Sequence, residues 1–301
     1  MSTNRKPFVG IYLELHFIVV LLGFTAILGK LITISSVEVV LYRTLLASLG
    51  IFCVLFFMKK KIIISKSDTF KLLGTGLIVA FHWFLFFYSA RVSNVSISLV
   101  GLATATFWVA ILQPLIDKTR ISITEVGWGL VVVFGLYLIF QTEFDHWWGL
   151  FLSVLTAFFQ AVFSIINSKF TRKHSSLIIT FYEMAGACFF SLFFLLIYWF
   201  INPSYNLLIP SIIDWLWIFI LAIVCTVYAY SAIVRLLGNI SAFSVNLAIN
   251  LEPIYGILLA YFIFGESEKM SFGFYAGTLI ICLAVFGYQF LGKTGKVKIT
   301  D

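Results

Sequence analysis

Read for polarity alone, the chain is a succession of apolar runs of helix length separated by short polar connections. Ten runs follow one another, at 8–29, 36–58, 70–90, 96–116, 123–141, 148–168, 177–200, 212–234, 241–264 and 271–291. Each matches the roughly 20 residues an α-helix needs to cross about 30 Å of hydrocarbon. No segment shows the two-residue alternation of a membrane strand, so the pattern predicts an all-α membrane protein of ten helices and not a barrel. The polar punctuation agrees: Ser35 with Glu38, and Ser122 with Glu125, have capping-box spacing at the starts of the second and fifth helices. Residues 1–7 carry Arg5 and Lys6 ahead of an apolar run containing Glu14, which reads as an uncleaved first helix.

Composition removes the soluble alternative. Of 301 residues, 61% are hydrophobic and 11% charged, too little polar surface for a water-exposed domain. Cys53, Cys188, Cys225 and Cys282 all lie in apolar runs, so they are packed thiols, neither a disulfide frame nor a metal site, and nothing calls for a cofactor. The net charge of +7 would suggest nucleic acid in a soluble protein, but its placement excludes that. With both termini cytoplasmic, 16 of the 20 Lys and Arg residues fall in inside segments, only Lys30, Arg91 and Lys269 fall outside, and Arg43 is intramembrane. This asymmetry predicts cytoplasmic termini.

The chain also repeats itself in order. A shift of 139 residues matches Gly10 with Gly149, Phe24 with Phe163 and Lys30 with Lys169; a shift of 140 lays Tyr42-Arg43 on Tyr182-Glu183. Later the shift becomes 149, bringing Asp117 to Glu266 and Ser122 to Ser271, and on it Glu252-Pro253 falls on Ala103-Thr104. The expected division is a first five-helix repeat over 1–146, a second over 147–292 and a tail over 293–301. Five is odd, so the repeats insert in opposite senses, the inverted arrangement of alternating-access transporters.

Particular residues carry a resemblance. Leu22-Gly23-Phe24 with Lys30 closing the first helix, Arg43 in the second, the run from His82 to Ala90 in the third, and Leu251-Glu252-Pro253 followed by Gly265-Glu266 in the ninth resemble the EamA-type members of the drug/metabolite transporter superfamily, of bacterial ten-helix type. The resemblance covers nearly the whole chain. It implies a secondary carrier of the bacterial inner membrane, mostly exporting amino acids or related metabolites, with a cavity lined by helices 1, 3, 4, 6, 8 and 9. The chain departs from the family in having Leu22 where Trp is frequent, and Thr104 where the fourth helix often has Pro, so nothing in the sequence demands a kink there.

Candidate chemistry gathers at mid-membrane. A charge at that depth costs at least a few kcal/mol on insertion scales and turns to a cavity or partner. Glu252 beside Pro253 is therefore the first candidate for a proton or solute-amine site, against the alternative of a structural bond between helices. His82, at similar depth, could pair with it or relay a proton, or serve as a neutral interhelical bond. Glu14 is a third proton candidate if it faces an inner vestibule. Arg43 could hold a solute carboxylate or an outer gate. Gln160, Ser164 and Asn167 form one polar stripe, and Asn246 with Asn250 another, either solute contacts or interhelical glue. Trp83, Trp108, Tyr228 and Tyr230 could wall an amphipathic solute. Glu183 reads as part of a capping box with Thr180 if the seventh helix starts late. Gly273 and Gly277 would admit a close neighbouring helix, more readily within the chain than from a second subunit, leaving monomer or homodimer open.

The pattern Gly287 to Thr294 satisfies a phosphate-loop expression, yet it ends a membrane helix and lacks the preceding strand, so ATP binding is rejected. The leading expectation is a carrier of a small-molecule solute in the lipid bilayer, proton-coupled or passively exchanging. The alternatives are an uncoupled exchanger or facilitator and, less favoured, an intramembrane enzyme, for which no catalytic pair occurs at the needed spacing.

Overall fold

The computed structural model describes residues 8–202 and 204–291. The expected tail 293–301, Arg5 and Lys6 lie outside them. Thirteen α-helices build the described chain, with short 3₁₀ and π segments between some of them and no strand among the described residues. They are α1 (Phe8–Leu31), α2 (Ser36–Phe57), α3 (Lys66–Val92), α4 (Val95–Leu102), α5 (Ala105–Asp117), α6 (Ile123–Thr142), α7 (Trp147–Phe170), α8 (Ser176–Ile201), α9 (Ile212–Ala222), α10 (Ser231–Leu237), α11 (Ala242–Ile249), α12 (Glu252–Phe264) and α13 (Phe272–Leu291). Three pairs join end to end: α4 with α5, α9 with α10 through a π-helix over Ile223–Tyr230, and α11 with α12. Nine helical stretches among the described residues are long and apolar enough to cross a membrane, and α13 is the tenth apolar run.

The ends are fixed by local chemistry. Ser35 and Glu38 form the anticipated reciprocal box, and Ser211 with Asp214 forms a second one. At Ser122 only half of the box exists: its hydroxyl accepts from the Glu125 N–H. The third span starts four residues earlier than its apolar run, because Ser65 caps it and accepts from the Asp68 N–H.

The two halves share element lengths. α1 and α7 are each 24 residues; α4 and α11 are each 8; α5 and α12 are each 13. The broken fourth span thus maps onto the broken ninth with a shift of 147, which corrects the shift of 149 expected there. Glu252 corresponds to Ala105, not Ala103. The break in the fourth span also replaces the unkinked helix that Thr104 suggested. Its cause is hydroxyl chemistry: Thr104 Oγ1 donates to the Gly101 carbonyl at 2.8 Å and Thr106 Oγ1 to the Ala103 carbonyl at 3.0 Å, while the Ala103 and Thr104 N–H groups tighten to i−3 carbonyls. Such back-bonding competes with the helical ladder and bends it.

Burial sorts centre from periphery. The fourth span is 78% buried along its most apolar window and the fifth 22%, so the fourth is central and the fifth offers most of its surface to lipid. α3 packs on both α7 and α8, α1 on α12, and α13 on α6. Glycine permits the closest approaches: Gly277 faces the Gly135 carbonyl of α6, so the small-residue face of the last helix is occupied within the chain.

Candidate functional site

Where the halves meet lies a narrow cavity of about 60 Å³. Leu22 and Thr25 come from α1, His82, Trp83 and Phe86 from α3, Leu102 from α4, Gln160, Phe163 and Ser164 from α7, Cys225, Tyr230 and Ile233 from the eighth span, and Ile249 and Glu252 from the ninth. The second span adds Arg43 to the six spans that the resemblance implied.

Arg43 is held on three sides. Its Nε donates to Thr226 Oγ1 at 2.9 Å, its guanidinium lies 3.8 Å from the Trp83 ring centre, and Phe87 stands behind at 5.7 Å. Stacking on an indole is worth about 2 kcal/mol when desolvated, which locks the cation in place without neutralising it. Glu252 is buried, is the first residue of α12, and interacts electrostatically with Arg43. Arg43 and Glu252 therefore share one cavity without an ion pair between them.

The π-helix supplies Cys225 and Tyr230 to the wall and Thr226 to Arg43. One extra residue per turn lets Thr226 Oγ1 donate to the Leu221 carbonyl, five positions back, and accept from Arg43. At its end Tyr230 meets Trp83 edge-on at 5.7 Å. Single π turns inside α-helices concentrate at functional sites.

His82 Nδ1 lies 3.0 Å from the Thr156 carbonyl, so that nitrogen carries a hydrogen and its Nε2 is set by the cavity. Gln160 Nε2 donates to Asn246 Oδ1 at 3.0 Å, joining the two polar stripes. Asn250 turns from the cavity and donates to Thr106 Oγ1 at 2.5 Å, tying one broken span to the other.

Seven of the sequence candidates thus converge: Arg43, His82, Trp83, Gln160, Ser164, Tyr230 and Glu252. Others lie elsewhere. Tyr228 is 45% exposed on the outer surface against Phe17. Trp108 packs edge-on against Phe158. Glu14 makes an ion pair with Arg235 at the far end of the bundle. Glu183 corrects its capping reading: α8 starts at Ser176, which leaves Glu183 fully buried inside the helix, accepting from Tyr230 Oη at 2.9 Å. The one sequence signal for it was its alignment with Arg43 across the halves. Thr226 and Cys225 had no signal, since a π register is invisible in an apolar run, and Phe163 had none because one Phe among many in apolar runs does not stand out.

Two ion pairs tie the halves together in related ways. Lys30, closing α1, pairs at 2.7 Å with the buried Glu268 beyond α12; Lys169, near the end of α7, pairs at 2.7 Å with Asp117 at the end of α5. In each case the first span of one half is bound to the end of the broken span of the other. On the Lys30 face Glu268 also accepts from the Val95 and Ser96 N–H groups and Ser96 Oγ, and Arg91 donates to the Gly29 and Ile32 carbonyls. On the Lys169 face the pair is 44% and 31% exposed.

Two similar halves with broken spans around a charged, aromatic-walled cavity define a polytopic membrane protein of solute-carrier architecture. The EamA-like transporter family matches the chain twice, over residues 12–141 and 147–289, and the chain belongs to that family. A curated relative from Synechocystis sp., the uncharacterized transporter sll1164, is 25% identical over 203 residues, which are 67% of this chain and 56% of that relative. The match therefore spans little more than half of the relative's length. A crystal structure matches with a TM-score of 0.68 at 12% identity, covering 92% of this chain and 96% of its own, a likeness of fold.

Proposed function

We propose that the protein is a secondary transporter that exports small metabolites such as amino acids by alternating access, coupled to protons, and is not an enzyme. The observation carrying this reading is the cavity itself, where Arg43 and Glu252 are both buried and unpaired with each other across an aromatic wall. A solute with a carboxylate and an amine satisfies both charges at once, and Trp83, Phe163 and Tyr230 accept its apolar body. Family membership supports transport in general; the amino-acid class rests on the cavity's charges.

Two ion pairs between the halves support alternating access: Lys30–Glu268 and Lys169–Asp117 would close opposite mouths of the cavity, and breaking either would admit solute from that side. The Lys30 mouth holds more bonds and is the more buried, so this conformation is closed there and readier to open at the Lys169 mouth. The positive-inside bias makes that mouth cytoplasmic, in a bacterial inner membrane.

The test is flux of radiolabelled amino acids in proteoliposomes with and without an imposed pH gradient. Saturable uptake that rises with the gradient supports the reading. Saturable counterflow indifferent to the gradient would make the protein an uncoupled exchanger, and absence of flux for every amino acid tried would remove the substrate class.

A further inference from the structure

One buried polar cluster meets the solute path only through Tyr230. Glu183, in the interior of α8, is fully buried and accepts from Tyr230 Oη through Oε2 at 2.9 Å. Asn167 of α7, also fully buried, donates to the same phenol oxygen from Nδ2 at 3.4 Å. Glu183 Oε1 and Asn167 Oδ1 have no hydrogen-bonding partner among the described residues, and neither do the hydroxyls of Thr180, one turn before Glu183, and Ser231, next to Tyr230.

The surrounding charges do not neutralise it. Among the described residues no Lys, Arg or His forms an ion pair with Glu183. From α2, Arg43 spends its Nε on Thr226 and its face on Trp83; from α3, His82 is turned to Thr156; from the eighth span, Tyr230 offers only a neutral phenol. A bare carboxylate in such a place carries a desolvation penalty of several kcal/mol with no countercharge to offset it. It would also leave two acceptors, Glu183 Oε1 and Asn167 Oδ1, both lacking a hydrogen. A proton on Oε1 removes the charge and gives Glu183 an O–H donor of its own.

We propose that Glu183 is the site at which this transporter carries its proton, held as a neutral carboxylic acid between Tyr230 and Asn167, with Tyr230 linking that site to the solute cavity. The inference rests on the transport reading above and moves the coupling role from Glu252 to Glu183. The chemistry is one proton exchange with water: an O–H bond forms at Oε1 as a hydronium O–H bond breaks, and the reverse step returns the proton. Tyr230 touches both this site and the solute cavity, so a change of charge at Glu183 reaches the cavity through the phenol that it binds.

Difference infrared spectroscopy of the purified full-length protein across a pH series tests the site without any solute. Expected is a carboxylic-acid C=O stretch that shifts in heavy water, is lost in Glu183→Gln and persists in Glu252→Gln. Tyr230→Phe keeps the band at a shifted frequency, because the phenol donor is gone, and this variant serves if Glu183→Gln fails to fold. A wild-type spectrum without the band at any pH, or a band that survives Glu183→Gln, overturns the proposal. So does sodium raising the melting temperature of the wild type but not of Glu183→Gln, in the absence of the band, since the site would then hold a metal cation. Coupling is read separately in proteoliposomes with radiolabelled amino acids: Glu183→Gln retains counterflow and loses its response to a pH gradient. An intact infrared band in a wild type that moves no solute would instead sink the transport reading and leave the proton site standing.

Discussion

Arg43 shows how much one side chain settles at the centre of the protein. Its charge alone would be served by lysine, but only a planar guanidinium can lie on Trp83 while donating from Nε to Thr226. Arg43→Lys is therefore expected to lower the unfolding free energy by about 2 kcal/mol, from the lost stacking and one charged hydrogen bond. Thermal unfolding in detergent measures it, and a melting temperature equal to wild type would show that the stack contributes nothing. Glu268 is the second decisive side chain. It binds Lys30 and three donors at the start of α4 while fully buried. Removing it strands Lys30 and the cap together, so Glu268→Ala should cost about 3 kcal/mol. Lys30→Met should cost less, because the three local donors keep their acceptor; the order of the two melting temperatures checks this.

At the scale of the element, the broken spans separate what proline does from what position does. Pro253 is the second residue of α12, where its missing N–H removes little, and Thr106 is the second residue of α5. Thr106→Pro should therefore cost only about 1 kcal/mol, mainly the lost bond from Asn250. Val109→Pro, in the interior of the same helix, should cost about 3 kcal/mol or more. Equal losses in thermal unfolding would mean that the break at Ala103-Thr104 does not position α5. Another element-scale contact joins α3 and α8, where a Cβ on Gly186 would come within 2.9 Å of the Leu73 Cα. Gly186→Leu should leave no monodisperse folded protein in size-exclusion chromatography, and a normal profile would refute that close approach.

These elements also show where the sequence was legible and where it was not. Span number and order followed from apolar length, because a bilayer imposes that length on every helix. Arg43, His82, Trp83, Gln160, Tyr230 and Glu252 were legible because a polar or amphipathic group at mid-depth needs a reason. The fourth-span break was not, since its cause is hydroxyl back-bonding at Thr104 and Thr106 and not a proline. Glu183 was misplaced because its reading depended on where α8 begins, and helix starts are weakly marked inside apolar runs. Tyr228 and Tyr230 are two residues apart, and only the π register decides which of them faces the cavity.

For the molecule as a whole, the two cross-linked mouths make a prediction that neither half makes alone. Cys225 lines the cavity and is buried, so it can report on access when Cys53, Cys188 and Cys282 are replaced by Ser. Asp117→Asn should raise its labelling by a membrane-impermeant maleimide several-fold from one side of the membrane only, and Glu268→Gln from the other side only. Oppositely oriented vesicles distinguish the two. Labelling that rises from the same side in both variants would show that the pairs do not close opposite mouths.

The equal lengths of matched pieces, 8 and 13 residues on either side of each break, bear on how such a chain can change over time. Side chains at matched positions have diverged to the point where Ala105 stands against Glu252, yet neither broken span has gained or lost a residue relative to the other. A one-residue insertion there would rotate everything beyond it by a fixed angle and turn cavity residues to lipid, whereas a substitution alters a single contact. The two halves of this protein are thus better matched by a ruler than by an alphabet: by the count of residues on either side of each break, which they share although their letters differ.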